Sequence, residues 1–133
     1  MMDVKIITPT GLYKHCQAKQ INARSVEGEF GLLSNHMPLV VMLAISRMEI
    51  IFDNEEKKEY AVSGGMLQFA NNEVRILTDT IEGEDEIDLE RAIKARERAE
   101  KRLASHATDI NMRRAEIALQ KAINRINVKQ DLM

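Results

Sequence analysis

Arg91 and Arg98 stand seven residues apart, and Lys121 and Arg125 four apart, in a chain of 133 residues. On a helix such spacings return each pair to one face. Cations crowded in this way repel one another unless an anion lies among them, and a polyphosphate suits the arrangement. Guanidinium forks match phosphate oxygens two at a time, and a lysine adds a point charge. Asp88 and Glu82 supply acceptors for a base, a sugar hydroxyl or a neighbouring arginine. The same residues fit a plainer reading. Asp88 can be a first-turn acid that favours the helix dipole, with Asp85 as the cap, Arg91 its i,i+3 partner and Arg98 surface charge. One detail weighs against that reading: Arg91 falls in or near the first turn, where a cation opposes the dipole and gains from an anionic ligand.

The remaining reactive side chains do not assemble into a catalytic set. His15, His36 and His106 are scattered, and none has metal-ligand spacing to another histidine or to Cys16. Cys16, with Leu12 and Ala18 on its side of an expected strand, reads as a small buried hydrophobe rather than a nucleophile. No serine sits in a nucleophile elbow, and no glycine-rich phosphate loop follows a strand. Carboxylates cluster only at Glu82, Glu84, Asp85 and Glu86, where a solvated linker is the simpler account. The chain is expected to carry neither a catalytic nor a metal site.

Composition sets the frame for these residues. Hydrophobic residues are 44% and charged residues 30% of the chain, which fits a globular protein and not a disordered one. Aromatics are 4%, tryptophan is absent and methionine occurs eight times, so aliphatic side chains must fill the core. A single cysteine allows no intrachain disulfide and fits a reducing compartment. The N-terminus alternates polar and apolar residues at once, unlike a secretory signal. The longest apolar run, residues 39–45, is far below the ~20 residues that span a bilayer. Membrane association is therefore expected only through a partner.

Charge is divided along the chain. Residues 87–133 carry 11 Lys/Arg against 7 Asp/Glu, and residues 1–86 carry 8 against 14. A change of sign at one place suggests two modules with different surfaces. The basic half lacks interleaved aromatics, which argues against nucleic-acid binding. Its apolar stripe lacks large anchoring residues, which argues against a membrane-surface helix.

The first module is expected to be strands. Met48, Ile50 and Phe52 alternate with Glu49 and Ile51, and Val74, Ile76 and Thr78 alternate with Arg75 and Leu77, a period that puts each set on one sheet face. Residues 39–45 read as a strand buried on both sides. Turns are expected at Thr8-Pro9-Thr10-Gly11, at Glu27-Gly28-Glu29-Phe30-Gly31, across residues 53–58, and at Asn71-Asn72, whose residues tolerate left-handed geometry. Many short strands at close spacing indicate a sandwich or barrel.

The second module is expected to be a helical hairpin. Leu89, Ala92, Arg96, Ala99 and Leu103 follow the helical period, with Ile93 and Ala95 alongside. Met112, Ala115, Leu119, Ala122 and Ile126 repeat it, with Ala118 and Ile123 widening the stripe. The connection at residues 105–109 is short, Thr108 or Asp109 can cap the second helix, and a short link implies antiparallel neighbours. Alanine-rich facing stripes bury little apolar surface, at about 25 cal/mol per Å². Such a hairpin is only weakly held and suits an element that docks in more than one arrangement.

Taken in order, these segments resemble a known family. Glu27-Gly28-Glu29-Phe30-Gly31-Leu32-Leu33-Ser34-Asn35-His36-Met37-Pro38-Leu39 is similar to the signature loop of F-type ATP synthase epsilon subunits. Ser63-Gly64-Gly65-Met66-Leu67-Gln68-Phe69 with Asn71-Asn72-Glu73-Val74 resembles the family's Gly-Gly hairpin. Arg113-Arg114-Ala115-Glu116 and Ala122-Ile123-Asn124-Arg125 resemble its C-terminal helix. The resemblance covers nearly the whole chain at the bacillus-type family's length.

The resemblance implies an α+β chain with two parts. Residues 1–84 form an antiparallel β-sandwich that binds the gamma subunit and the c-subunit ring, with Glu29 and His36 as rotor contacts. Residues 85–133 form a regulatory antiparallel two-helix hairpin. The chain would be a central-stalk rotor subunit of a proton-translocating ATP synthase, peripheral at the cytoplasmic face of the bacterial plasma membrane. Its extended tail, through Arg96, Arg102, Arg113 and Arg114, would meet the alpha/beta catalytic head and hinder ATP hydrolysis. Folded, the hairpin would bind ATP as a regulatory ligand, with or without Mg²⁺, since residues 87–92 match the motif of ATP-binding members. The contacts carried over are Glu82, Asp88, Arg91, Arg98, Lys121 and Arg125. Lys121 stands where related binders tend to have arginine, and so loses the bidentate fork. Two other functions compete: a free-standing ATP-sensing module, and a small enzyme on a sandwich core, which the missing catalytic set disfavours.

Overall fold

A computed structural model describes residues 1–105 and 111–130 of the chain. His106, and Thr108 and Asp109 as caps of the second helix, lie outside the described residues. The chain divides into two compact units, residues 1–83 and 84–133.

The first unit contains strands β1 (Met2–Thr8), β2 (Gly11–Ser25), β3 (Gly28–Leu33), β4 (Leu39–Phe52), β5 (Lys57–Ala70), β6 (Glu73–Leu77) and β7 (Ile81–Gly83). Pairing runs β1-β6-β5-β4-β2-β3, and β1 also pairs with β2, so five strands close into a ring. Closure removes most free sheet edges. β7 adds to β5 through Tyr60 to Val62. Every pairing is antiparallel except β1 with β6, which is parallel from Asp3↔Glu73 to Ile7↔Leu77. The long strands β2, β4 and β5 make the layers continuous, and β2 shifts register against β4 on both sides of residues 20–22.

The alternating residues fill the interior. Met2, Val4, Ile6, Ile21, Leu32, Met48, Ile50, Tyr60, Leu67, Val74 and Ile76 are buried in one cluster. Asn71 and Asn72 form the β5–β6 hairpin with φ of 54° and 59°, the left-handed pair that a tight hairpin turn requires. The β4–β5 turn falls at residues 53–56, within the charged loop expected there.

Two strand expectations are corrected. Residues 39–45 are not buried on both sides, because Val40 is 64% and Met42 54% exposed while Leu43 faces the core. The turn near Glu27 is confined to Val26 and Glu27, and Gly28–Leu33 continues as strand β3. Gly31 has no left-handed φ, and its missing side chain instead leaves room for Asn22 Oδ1.

The second unit contains helices α1 (Leu89–Ser105) and α2 (Met112–Gln130). The cap of α1 is Asp88, not Asp85: Asp88 Oδ1 accepts the N–H of Arg91 at 3.2 Å, and its carbonyl accepts that of Ala92. Asn111 caps α2 in the same way through Arg114. Lys129 Nζ donates to the Glu84 carbonyl at 3.1 Å, which brings the end of α2 back to the entry of α1. Ala92 and Ala99 are buried on α1, and Ala115, Ala122, Ile126 and Val128 on α2. Ala118 and Ile123 lie outside that stripe and are exposed.

Candidate functional site

The helical unit gathers the basic residues by a simple rule of position. Arg91, Arg98, Lys121 and Arg125 each immediately precede a buried residue: Ala92, Ala99, Ala122 and Ile126. One residue back is about 100° around a helix. In two antiparallel helices that turn the same buried stripe toward each other, this offset leads to one shared face of the hairpin. The four cations therefore lie on a common face. Arg91 and Arg98 are exposed, and Lys121 and Arg125 half-buried. The Lys129–Glu84 bond returns the end of α2 to the entry of α1, so the later half of α2, with Lys121 and Arg125, runs beside the half of α1 that begins at the Asp88 cap and carries Arg91.

Asp88 and Arg91 are thus linked through the backbone. The Asp88 carboxylate holds the N–H of Arg91, and the Arg91 guanidinium is exposed beyond it. A cation in the first turn sits at the positive end of the helix dipole, where a bound anion relieves it. The arrangement gathers two exposed and two half-buried cations on one face with one carboxylate at its end, chemistry suited to a phosphate chain. Glu82 belongs to the other unit, half-buried on β7 opposite Ala61.

Of the tail arginines, Arg96, Arg102 and Arg113 lie elsewhere on the hairpin. Arg102 is in the last turn of α1, and Arg113 and Arg114 are in the first turn of α2; all three are exposed. Arg96 is held in an i,i+4 pair with Glu100 at 3.4 Å. Arg113 and Arg114 oppose the α2 dipole as Arg91 opposes that of α1. Arg114 precedes buried Ala115 and so joins the same face as the other four cations. The rule that unites them, a basic residue just before five of the six buried helical positions (Val128, after Asn127, is the exception), was readable in the sequence.

In the strand unit, Glu29 on β3 and His36 in the loop before β4 line one groove of about 270 Å³ with Phe30, Leu39 and Val41. Both are exposed. His36 Nδ1 lies 2.8 Å from the Met37 carbonyl, and its ring stands edge-on to Phe69 at 6.2 Å. Phe30 packs against the core, while Leu33 and Pro38 are exposed. Within residues 26–42, the segment that also supplies most of the groove, Val26, Leu33, Met37, Val40 and Met42 are all more than half exposed. The Val26 N–H donates to the Met42 carbonyl at 2.9 Å, so two of these residues are neighbours across strands. Exposed apolar side chains concentrated in one segment are the kind of surface that a partner can cover.

Cys16 and the Asp3–His15 pair have the character of structural groups. Burial pushes the Cys16 thiol above its ordinary range, which lowers the thiolate fraction. The hydrogen bond from His15, at 2.8 Å, holds the Asp3 carboxyl below its usual range, with Gln17 bonded to the same oxygen. Among the described residues no helix is long and apolar enough to cross a membrane.

Comparison with known proteins follows the same division. The family model of the ATP synthase delta/epsilon chain β-sandwich domain matches residues 1–84, and that of the delta/epsilon chain long α-helix domain matches residues 85–130. The ATP synthase epsilon chain of Lacticaseibacillus casei (strain BL23) is 40% identical over 134 residues, covering 97% of this chain and 94% of the relative. That of Shouchella clausii (strain KSM-K16) is 42% identical over 127 residues, covering 96% and 93%. Among solved structures, a chain of the Euglena gracilis mitochondrial ATP synthase, OSCP/F1/c-ring, superposes with a TM-score of 0.79 at 27% identity, over 92% of this chain and 78% of that one. A chain of the Tetrahymena thermophila mitochondrial ATP synthase central stalk/c-ring, at 16% identity and a TM-score of 0.59, shares the fold.

Proposed function

Because the chain belongs to the delta/epsilon chain family of ATP synthase, as an epsilon subunit of the central stalk, we propose that its two units divide the work between docking and regulation. The strand unit binds the rotor, formed by the gamma subunit and the c-ring, at the cytoplasmic face of the membrane. The hairpin restrains ATP hydrolysis when extended and is held folded by ATP. The observation that carries the regulatory half is the row of cations on one face of a hairpin packed through alanines.

The docking half rests on the apolar patch around Glu29 and His36. Met37 is 76% exposed and Val40 64%. A partner that covers them removes apolar area from water, and Val40 lies on a strand already in place. Glu29 and His36 at the rim give register through charge and hydrogen bonding. The doubly substituted chain Met37→Asp/Val40→Asp, whose changes fall on exposed positions and leave the core intact, is expected to bind a gamma/c-ring rotor at least about tenfold more weakly. Binding equal to wild type, measured by co-sedimentation with rotor vesicles, would remove this surface from the interface. Co-purification with the rotor and the catalytic head also separates the stalk subunit from a free-standing ATP-sensing module.

The regulatory half follows from linkage. A ligand that binds only the folded hairpin stabilises it by RT ln(1 + [L]/Kd), about 1.4 kcal/mol at ten times Kd. That shifts a balanced switch about tenfold. Buried alanines make a thin interface, so this increment is large against what holds the helices together. Arg102, Arg113 and Arg114, with Arg96, supply the charge that meets acidic surfaces of the catalytic head when the hairpin opens.

A further inference from the structure

The loop at residues 34–38, which presents His36 and Met37, is tied to a turn 37 residues away in sequence. The Asn35 N–H donates to Asn72 Oδ1 at 2.7 Å, and Asn72 Nδ2 donates to Asn35 Oδ1 at 3.1 Å. A backbone N–H can only donate, so it fixes which end of the Asn72 amide faces it. The amide's remaining Nδ2 then fixes the orientation of Asn35. Both residues are left-handed, with φ of 66° and 59°. The Asn72 carbonyl accepts the N–H of Asp3 at 2.9 Å, which anchors the turn to β1.

The β5–β6 turn does not itself need this side chain. Glycine is the preferred second residue of a tight left-handed hairpin turn, and it would close the strands at least as well. The asparagine side chain contributes a reciprocal pair of bonds to the loop instead. These bonds are exposed, so each adds little to global stability. Their effect is local: they select one loop conformation. A pre-ordered loop loses less entropy on docking.

We propose that Asn35 and Asn72 are positioning residues, whose side-chain clasp holds the 34–38 loop in the conformation that docks on the rotor. This inference rests on the reading of that loop and its apolar neighbours as the rotor contact.

Asn72→Gly removes both bonds of the clasp and Asn35→Gly only the one to Asn35 Oδ1, and glycine adopts both φ values. Each full-length variant is expected to melt within about 3 °C of wild type. Asn72→Gly should bind the gamma/c-ring rotor about tenfold more weakly, with the Met37 methyl resonance moved to its random-coil position, and Asn35→Gly, which keeps one bond, should shift both in the same direction by less. Asn35→Asp keeps an acceptor for Asn72 Nδ2 and should restore binding to within about twofold of wild type. Wild-type affinity in Asn72→Gly would overturn the clasp as a positioning device. Wild-type chain that fails to bind the rotor would instead overturn the docking reading, and this role with it.

Discussion

Gly65→Ala is expected to unfold the strand unit under conditions where the wild type is native. Gly65 lies within β5 with φ of 127°, a conformation that L side chains rarely adopt. A Cβ built there would lie 2.0 Å from the Leu77 carbonyl oxygen and 3.0 Å from Thr78 Cα. These are backbone atoms, so no rotamer change relieves the overlap. β5 changes partner at this point, from β7 at Tyr60–Val62 to β6 at Met66–Ala70. The buried Thr78 hydroxyl locks the junction by donating to the Gly64 carbonyl at 2.6 Å, while the Thr78 N–H bonds to the Ile7 carbonyl. Moving Leu77 and Thr78 aside breaks the β6 end of the ring.

A loss of more than about 4 kcal/mol is expected, a large share of the ~5–15 kcal/mol that small domains possess. Gly11→Ala is the control. Its φ is 123°, but nothing lies within 4 Å of the added methyl, so it should cost only about 1–2 kcal/mol of backbone strain. The two tyrosines of the chain, Tyr13 and Tyr60, both lie in the strand unit, so tyrosine signals in urea report this unit alone. A Gly65→Ala midpoint close to that of Gly11→Ala would contradict the steric account.

Arg91→Ala is expected to weaken ATP binding by the isolated chain about ten- to a hundredfold. A guanidinium–phosphate contact is a charge-assisted bond, and its loss costs about 1.5–3 kcal/mol, or ten- to a hundredfold in affinity. Arg98→Ala should weaken binding in the same direction. The role of Asp88 needs a more careful substitution, because its carboxylate also caps α1. Asp88→Ala removes the cap, at about 1 kcal/mol, and would loosen the hairpin whether or not ATP touches the side chain. Asp88→Asn keeps a capping oxygen while removing the charge. Binding weakened in Arg91→Ala but retained in Asp88→Asn assigns the acid to the helix start. Binding weakened in both assigns it to the ligand as well. Calorimetric titration that shows equal affinity in wild type and Arg91→Ala would reduce the cluster to surface charge.

These predictions rest partly on features that the sequence announced and partly on ones it hid. The period-two runs around Met48 and Val74, the Asn71-Asn72 turn and the two helical stripes were legible because each is local. The parallel pairing of β1 with β6 was not, since long-range register leaves no mark on neighbouring residues. The apolar run 39–45 misled because two of its apolar residues, Val40 and Met42, are exposed. Val40 and Met42 are apolar because a partner covers them under the docking reading, and a run patterned for a partner looks the same as one patterned for the chain's own core. Gly28 to Gly31 resembled a turn because glycine also serves where a neighbour approaches closely, as Asn22 does at Gly31. Ala118 and Ile123 were assigned to the helix stripe by period alone, and the pairing of α1 with α2 turned them outward. The basic face needed both the stripe and the antiparallel return to be recognised, and Arg114 was therefore separated from the cations it joins. The Asn35–Asn72 clasp joins two polar residues far apart in sequence, and no periodicity reports such a pair.

The central claim is that the hairpin's charge restrains hydrolysis in the assembled enzyme until ATP holds it folded. The direct measurement is steady-state ATP hydrolysis by the complex reconstituted with wild-type chain or with the full-length variant Arg96→Ala/Arg102→Ala/Arg113→Ala/Arg114→Ala. The account predicts several-fold slower hydrolysis with the wild-type chain at low ATP, release of that restraint as ATP rises, and fast hydrolysis with the variant throughout. Equal rates with both chains at every ATP concentration, with equal occupancy in the complex, would contradict it.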